Sequence, residues 1–470
     1  MKKILVLSAI LSAMMFTACT NNDESPEVNG PKGPEAPQAR ASVTFSAYAD
    51  RGVTRAGKSG VLDITALKET QANGGGFGVF AYYTDLKKYD QTYVPNFMYN
   101  QGVFWNGADG TGTDDVWVYS PVMYWPNESG SDASSDDEDK VTFFAYAPYV
   151  ETSSAAAGSV EGNATWGITG FSRNTTAGDP IVKYIASFNA AETVDLCWGV
   201  CAGSAWAKIQ GAEDQTMTPG LPWLDVEHPQ AVDQPMTFTF KHALAQLNVQ
   251  IDADGDVATH DDTGDAIDAA TKIYVRSISF TGIAMKGALN LNNPTANQAR
   301  WLDYSGMTDL PYGESVTVKD GRRDDREGAA GAEATNETPA GLNPQIIQNS
   351  TATTGVTTSL QNLFNGAALT TPVYVIPTGE AMTVTIVYDV ETTSPNLTTY
   401  LSDGTTHGSS IENRITKKIT AWSDASTGLV SGKKYTLQLH LGMNSVKFDA
   451  AVGDWDPTPV TSDQWLPVTE

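Results

Sequence analysis

Cys19 is the first residue whose surroundings predict a covalent modification. It follows a short apolar run that begins after Lys2 and Lys3, and small residues precede it. This order is typical of an export signal that ends at a cysteine, whose sulfur is then acylated. Phe16 departs from the leucine that is usual at that place. The sequence predicts lipidation at Cys19, and an ordinary signal peptide cut near Ala18 is the alternative.

Arginines near the start of the chain offer sites for an Arg-specific protease. Arg51 and Arg55 lie in a turn-like stretch, and the small residue Ala56 follows Arg55. Arg40 lies upstream of a predicted strand, so a cut there would leave that strand attached. We expect cleavage after Arg55, while a cut after Arg51 would release the same strand and a plain surface arginine is the remaining alternative.

The predicted strand occupies residues 42–49. Val43, Phe45, Ala47 and Ala49 alternate with Thr44, Ser46 and Tyr48. A period of two suits a half-buried strand because successive side chains point to opposite faces of the sheet. Cleavage would leave a core without this strand, and the unpaired N–H and C=O groups could then accept a strand from another chain. The pattern favours a polymer over an enzyme.

The composition excludes several classes of partner. The chain has 470 residues and a formal charge of −26, which argues against nucleic acid and anionic membrane surfaces as partners. Residues 20–40 are polar and rich in Asn, Glu, Pro and Gly, so they predict a flexible tether. Each CH2 group of an acyl chain that is buried in a membrane contributes about 0.8 kcal/mol to membrane binding, so two or three chains would anchor the precursor firmly to the membrane.

The remaining cysteines, Cys197 and Cys201, are four positions apart. On one strand they would lie about 13 Å apart, too far for a disulfide, whereas a turn or helix could bring them together. Buried free thiols are the favoured interpretation. No metal site is predicted, because further ligands are not apparent near the two cysteines.

Other polar and aromatic groups have simpler interpretations. The acidic stretch 252–265 lacks the glycine and glutamate positions of a calcium loop, so we interpret it as solvated. Trp105, Trp117 and Trp125 could form a platform for a sugar, but core packing is the favoured prediction. Nucleophile elbows and phosphate-binding loops are missing, so no catalytic residue and no cofactor is predicted.

Short apolar runs between turn signals predict an all-β fold built from β-sandwiches. A Pro-containing connector divides the chain into domains at residues 56–232 and 233–456. The only helix candidates are short, at Gln361–Ala368 and His242–Gln246. The tail, residues 457–470, follows the last hairpin and places three apolar residues on one strand face: Val460, Leu466 and Val468. A frayed terminus is the alternative for this tail.

Several segments together resemble the fimbrillin family, the subunits of type V pili. The resemblance spans most of the chain, and the order of the segments is more specific than any one of them. Besides Cys19 and the strand followed by Arg55, it rests on Gly76–Ala81, Tyr124–Pro126, Val141–Pro148, Phe240–Leu247, Val275–Ile283, Lys433–Leu437 and Val452–Trp455.

The resemblance implies two tandem transthyretin-like β-sandwich domains after a leader, residues 1–19, and a propeptide, residues 20–55. It implies export as an outer-membrane lipoprotein, held by its acyl chains, and removal of the first strand by an Arg-specific protease. The C-terminal strand of one subunit, with Val460, Leu466 and Val468, would then enter the groove vacated by Val43, Phe45 and Ala47 of the next. Partners would be copies of itself or other subunits of a cell-surface fimbrium that supports adhesion. The alternative is a monomeric surface lipoprotein that binds a glycan or a host protein.

Overall fold

The computed structural model divides into two compact units, Met1–Arg40 and Ala41–Glu470, and only the second contains described residues. The structure describes residues 42–49, 62–107, 115–126, 139–152, 166–187, 194–201, 217–227, 235–253, 271–308, 310, 316–319, 360–363, 372–401, 406–442, 446–454 and 466–467.

The predicted all-β class is confirmed, because strands make up 53% and helices only 3% of the described residues, and the strands form several sheets. The helical elements of this part of the chain are α1 (Ile64–Leu67) and one 3-10 turn (Gln71–Asn73). None of its helices has the length and apolar character needed to cross a membrane. The strands are β1 (Phe45–Ala49), β2 (Phe77–Asp85), β3 (Met98–Trp105), β4 (Trp117–Val118), β5 (Lys140–Ala147), β6 (Ile168–Phe171), β7 (Ile181–Ile185), β8 (Cys197–Cys201), β9 (Trp223–Glu227), β10 (Met236–His242), β11 (Ala245–Ala253), β12 (Thr271–Thr281), β13 (Ile283–Ala284), β14 (Lys286–Asn290), β15 (Arg300–Leu302), β16 (Val316–Lys319), β17 (Gln361–Asn362), β18 (Val373–Pro377), β19 (Thr383–Thr393), β20 (Gly408–Lys418), β21 (Lys433–Leu441), β22 (Val446–Asp454) and β23 (Leu466–Pro467).

The largest sheet has the order β1-β10-β8-β5-β2-β3-β4, with β9 also paired to β5. Buried side-chain clusters cover both faces of this sheet, and this explains why its strand β5 is apolar almost throughout. Phe143 and Ala145 join the buried cluster that contains β1, whereas Phe144 and Tyr146 join a second cluster on the other face. A strand buried on both faces loses the alternation of a half-buried strand.

A four-stranded sheet in the order β15-β14-β7-β6 covers the second face. Val182 of β7 and Leu289 of β14 share its cluster with Phe144. β7 and β14 lie about a hundred residues apart in the chain yet pair antiparallel, from Lys286 opposite Ile185 to Asn290 opposite Ile181. This sheet therefore joins the two halves of the chain by backbone hydrogen bonds.

The remaining two sheets share one core. One has the order β13-β18-β11-β21-β22-β23, with β17 beside β11, and the other has the order β16-β12-β19-β20. The last hairpin, β21 and β22, turns one face of each strand toward this core, where the following side chains are buried: Leu437, Leu439, Leu441, Phe448, Ala450 and Val452. The arrangement is sandwich-like, with apolar side chains of both sheets in one cluster.

Two sequence-based interpretations need correction. His242–Gln246 is not a helix, because β10 ends at His242 and β11 begins at Ala245. Gln361 and Asn362 pair with β11 as a strand rather than starting a helix. These segments contain good helix formers, but pairing with neighbouring strands overrides a weak local preference.

The place where the chain changes sheets also differs from the expected connector. β10 lies downstream of residue 232, yet it pairs with β8 and β1 of the first large sheet. The change to the next sheet occurs at Ala243 and Leu244, two buried residues between β10 and β11. The reason is that β10 supplies Phe238 and Phe240 to the cluster around β1.

His440 on β21 connects two carboxylates on neighbouring strands. Its Nδ1 atom lies 2.5 Å from Asp252 Oδ1 on β11, and its Nε2 atom lies 3.3 Å from Asp449 Oδ2 on β22. The hydrogen bond to Asp252 is the main cause that raises the pKa of His440 above its usual value, and the two negative charges add to it. The imidazolium form therefore stabilises the folded chain.

We predict that the stabilisation by His440 depends on pH. Because its folded pKa is raised, the contribution is fully present below the unfolded pKa and is lost as pH rises through the folded pKa. Replacement His440→Gln should therefore lower the urea midpoint more at pH 5.5 than at pH 9. The control is Asp252→Asn, in whose background the same replacement should show less dependence on pH. An equal effect of His440→Gln at both pH values would contradict the prediction.

Candidate functional site

The first strand, β1, forms one edge of the largest sheet. It runs parallel to β10, with Phe45 opposite Met236 and Ala49 opposite Phe240. Just before the strand, the Met236 N–H donates to the Thr44 carbonyl over 2.7 Å. The predicted strand is thus present, and β10 is its neighbour in the sheet.

A second segment holds the start of β1 from the other side. The Val43 N–H donates to the Met123 carbonyl over 2.9 Å, and Ser42 forms an antiparallel bridge with Tyr124. The Tyr119 hydroxyl donates to the Val43 carbonyl over 2.7 Å. Burial raises the pKa of Tyr119 to about 12, so its hydroxyl remains a donor at neutral pH. We call the space between β10 and residues 119–124 the β1 seat.

Phe45 fills the centre of the β1 seat and is only 3% exposed. Its ring centroid lies 5.3 Å from Tyr119, 6.0 Å from Phe238, 6.1 Å from Phe143 and 6.4 Å from Phe77. Aromatic pairs at such separations add to the free energy of simple burial. Without β1, these rings would line an open groove.

The alternation predicted along β1 is found in the burial of its side chains. Val43 and Ala49 are each 1% exposed, Ala47 packs partly buried against the same cluster, and Tyr48 is 50% exposed. Val43, Phe45 and Ala47 therefore come together in the β1 seat.

Of the other predicted site residues, the structure describes Leu466. Leu466 belongs to β23, whose backbone pairs with β22 at Ala450. The remaining ones lie outside the described residues: Cys19, Arg55, Ala56, Val460 and Val468. The two ends of the described chain thus occupy edge positions in different sheets, β1 beside β10 and β23 beside β22.

Solvent-accessible space of about 550 Å³ lies alongside β1. Phe45, Ala47, Trp105 and Trp117 contribute to its lining. Nearby, α1 covers the cluster that contains β1 with Ala66 and Leu67, and Asp63 caps this helix by accepting from the Ala66 N–H over 2.8 Å. The β1 seat is therefore flanked by an open cleft rather than enclosed on all sides.

A polar cluster anchors the backbone at Leu62, just before α1. The Leu62 N–H donates to Asp195 Oδ2 over 2.9 Å, and the same oxygen lies 2.7 Å from His242 Nδ1. Cys197 Sγ lies 3.7 Å from Asp195 Oδ2 and 3.5 Å from His242 Nδ1. All three side chains are buried. A carboxylate with several such partners holds a neighbouring backbone in place.

These three side chains are also a set that could hold a metal ion. Asp195, Cys197 and His242 each offer a ligand atom, and these atoms lie within 4.8 Å of one another. They are ligand types that zinc uses. Asp195 Oδ2 already has three polar neighbours, namely the Leu62 N–H, Cys197 Sγ and His242 Nδ1. Asp195 Oδ1 is buried and has no hydrogen-bond partner among the described residues. The spacing of the cysteines in the sequence does not indicate that Asp195 and His242 lie beside Cys197. His242 is opposite Cys197 because β8 and β10 pair in this register.

The cysteines and the tryptophans follow their favoured interpretations. Cys197 and Cys201 are buried free thiols on a single strand. Trp117 and Trp125 are buried in the cluster around Phe45, and Trp105 packs partly buried against it. Trp117 and Trp125 are therefore core residues, and Trp105 packs against this core at the edge of the cleft beside β1.

We predict that Phe45 is a main source of the stability of β1. Replacement Phe45→Ala in the full chain should cost about 3–5 kcal/mol, because it leaves a cavity among aromatic rings. Tyr48→Ala is the matched control on the opposite face of the same strand, and it should stay within about 0.5 kcal/mol of the parent. Urea unfolding followed by tryptophan fluorescence measures both. Equal effects of the two replacements would show that β1 is not held by its inward face.

Comparison with known proteins identifies a related fimbrial protein. Over 146 residues the chain is 30% identical to the fimbrium subunit Fim1C of Phocaeicola vulgatus, and the alignment covers 30% of each protein. The match thus spans less than a third of the length of that relative. No protein-family model matches the chain.

Overlays on solved structures have low sequence identity and low TM-scores. A candidate cell adhesion protein from Bacteroides uniformis shares 12% identity, with 90% of this chain and 100% of that chain covered and a TM-score of 0.36. The tip fimbrial protein Mfa3 from Porphyromonas gingivalis shares 11% identity, with 89% and 100% covered and a TM-score of 0.26. We draw no conclusion on function from overlays at these TM-scores. The resemblance to fimbrial subunits indicated by the sequence is confirmed by the curated relative.

Proposed function

We propose that the chain is a structural subunit of a cell-surface fimbrium of the type V pilus kind. In this proposal β1 is a removable placeholder, and a strand from another subunit takes its position. The observation that carries the proposal is the β1 seat. β1 is an edge strand whose inward side chains complete an aromatic core, yet its described backbone partners are β10 and Met123, far away in sequence.

The proposed precursor is an outer-membrane lipoprotein. Residues 1–19 are its signal peptide, Cys19 carries the acyl chains, and residues 20–55 form the propeptide. The mature part comprises two transthyretin-like β-sandwich domains, residues 56–232 and 233–456, with β10 completing the sheet of the first domain. The fimbrial location at the cell surface is supported by the relation to a fimbrium subunit.

An Arg-specific protease after Arg55 would separate β1 from the rest of the chain. Before cleavage, the covalent link holds β1 beside its seat at a high effective concentration, so a strand from another chain competes poorly. After cleavage, only hydrogen bonds and side-chain packing retain β1. The Leu62–Asp195 hydrogen bond lies downstream of the cut and would fix the new N-terminal segment to the core.

Residues 457–470 are the proposed donor strand. A docked segment of about ten residues could form roughly ten hydrogen bonds, each worth about 0.5–1.5 kcal/mol net. Burial of two or three apolar side chains would add about 1.5–3 kcal/mol each. Ordering the tail opposes this gain. In its own chain, β23 pairs with β22 at a sheet edge. If the tail moved to a neighbouring subunit, this pairing would be replaced by pairing at the edge that β1 occupies in the neighbour.

We predict that surface-extracted protein begins at Ala56. N-terminal sequencing should find this residue in fimbrial material, because cleavage after Arg55 frees the strand that blocks assembly. Arg55→Ala should retain acylated Cys19 and stay monomeric unless the protease uses Arg51. Arg40→Ala is the matched control and should be processed like the parent. If acylated Cys19 is the only N-terminus at the surface, the protein is a monomeric lipoprotein and the assembly proposal is wrong.

We also predict that the tail is needed for assembly but not for folding. Deletion of Pro459–Glu470 should abolish SDS-resistant oligomer ladders, because it removes the apolar residues that would enter the β1 seat. A finer variant changes Val460, Leu466 and Val468 to Asn at the same time. Its matched control is the double variant Ser462→Ala and Gln464→Ala. Gel electrophoresis without boiling measures the ladders. Their persistence after the deletion would show that another segment is the donor.

A further inference from the structure

A polar cavity of about 710 Å³ opens at the sheet formed by β6, β7, β14 and β15. Its lining comes from both halves of the chain, including Lys183 of β7, Asn290 of β14 and Arg300 of β15. Volumes of roughly 300–1,000 Å³ are typical of small-molecule sites, which often lie where separate parts of a fold meet. The β1 seat does not contribute to this cavity.

The cavity carries positive charge although the whole protein has a formal charge of −26. Arg173 and Lys183 line it, and neither forms an ion pair with a carboxylate of the described residues. Arg300 NH1 lies 3.7 Å from Oδ2 of Asp179, which is the one carboxylate among the described lining residues. A cleft lined by charges of one sign raises the local concentration of counter-ions, so these two cations beside the cavity favour an anionic ligand.

Asp179 offsets only one of the three cations in the lining, and other groups already occupy its oxygens. The carboxylate is buried, and four side-chain donors reach it at 2.9–3.0 Å: Tyr89, Gln91, Asn290 and Asn292. Asp179 therefore acts as a fixed support that positions amides and Arg300 at the cavity wall. The two remaining cations, Arg173 and Lys183, stay available to a ligand.

The rest of the wall suits a hydroxylated ring. Thr169 and Ser172 supply hydroxyl groups, and Gln91 and Asn290 supply amides. Tyr304 adds an aromatic side chain, with Lys183 Nζ 5.5 Å from its ring centroid. None of the lining residues that the structure describes belongs to a helix, so this part of the wall offers no helix N-terminus of the kind that commonly binds phosphate groups.

We propose that this cavity binds a saccharide that carries a carboxylate, such as a uronic or sialic acid. Arg173 and Lys183 bind the carboxylate, and the amides and hydroxyl groups bind the ring hydroxyls. The inference goes beyond the proposed assembly function, since the cavity and the β1 seat are separate. A monomer that never assembles would still bind the ligand, so the two proposals can fail independently.

Isothermal titration calorimetry on the purified full chain tests the proposal. The probes are 3′-sialyllactose, with lactose as its neutral match, and the trimer of galacturonic acid, with the galactose trimer as its match. We expect at least one acidic probe to bind at submillimolar concentration and its neutral match to bind about tenfold more weakly or worse. Which of the two binds distinguishes a sialic acid from a uronic acid.

Variants locate the binding within the cavity. Arg173→Gln and Lys183→Gln should each weaken binding about tenfold, because each removes a charged hydrogen-bond donor. Lys418→Gln, an exposed lysine on β20, is the matched control and should leave the affinity unchanged. A salt titration of the parent needs no variant, and rising NaCl should weaken binding of the acidic probe.

Four results would overturn the proposal. The first three are no binding of either acidic probe, equal binding of an acidic probe and its neutral match, and unchanged affinity in both cavity variants. The fourth is that sodium acetate occupies the site and competes with the acidic probe as well as the acidic sugar itself does. The last result would identify a site for simple anions without recognition of a sugar.

Discussion

The backbone pairing of β1 with β10 is the interaction on which the proposed function depends. It places Phe45 among four aromatic rings and leaves β1 at the edge of its sheet. An edge strand exposes polar backbone groups that other chains can use, so proteins usually protect such edges. Here the strand next to the edge, β10, is protected by a segment that precedes the expected cleavage site. The same hydrogen bonds that stabilise the precursor would therefore define the acceptor site after cleavage.

Much of the fold follows from local patterns, and the exceptions have physical reasons. β1 and β21 could be predicted because each buries one face and alternates. β20 was not predicted because its sequence is mostly polar and largely exposed, and it is a strand only because it pairs with β19 along its full length. The false helix at His242–Gln246 lies where two sheets meet, which no local pattern indicates.

The candidate sites also differ in whether the sequence alone can predict them. The inward face of β1 is visible in the sequence because its residues are consecutive. The cluster of Asp195, Cys197 and His242 depends on the register of β8 against β10, which a single sequence does not specify. The positively charged cavity needs Arg173, Lys183 and Arg300 to meet through the pairing of β7 with β14 and β15. Only a folded chain reveals that Arg173 and Lys183 have no carboxylate partner within the described part of the chain.

The short passage from β10 to β11 has a mechanical consequence for a fibre. β10 forms one wall of the β1 seat, and only Ala243 and Leu244 separate it from β11, which pairs with β21 over eight residues. Tension applied by a neighbouring subunit at the seat would pass through this short covalent segment into the second core. There the load would act along long strand pairs and would have to shear many hydrogen bonds together, so such a subunit would resist extension without a flexible linker to stretch.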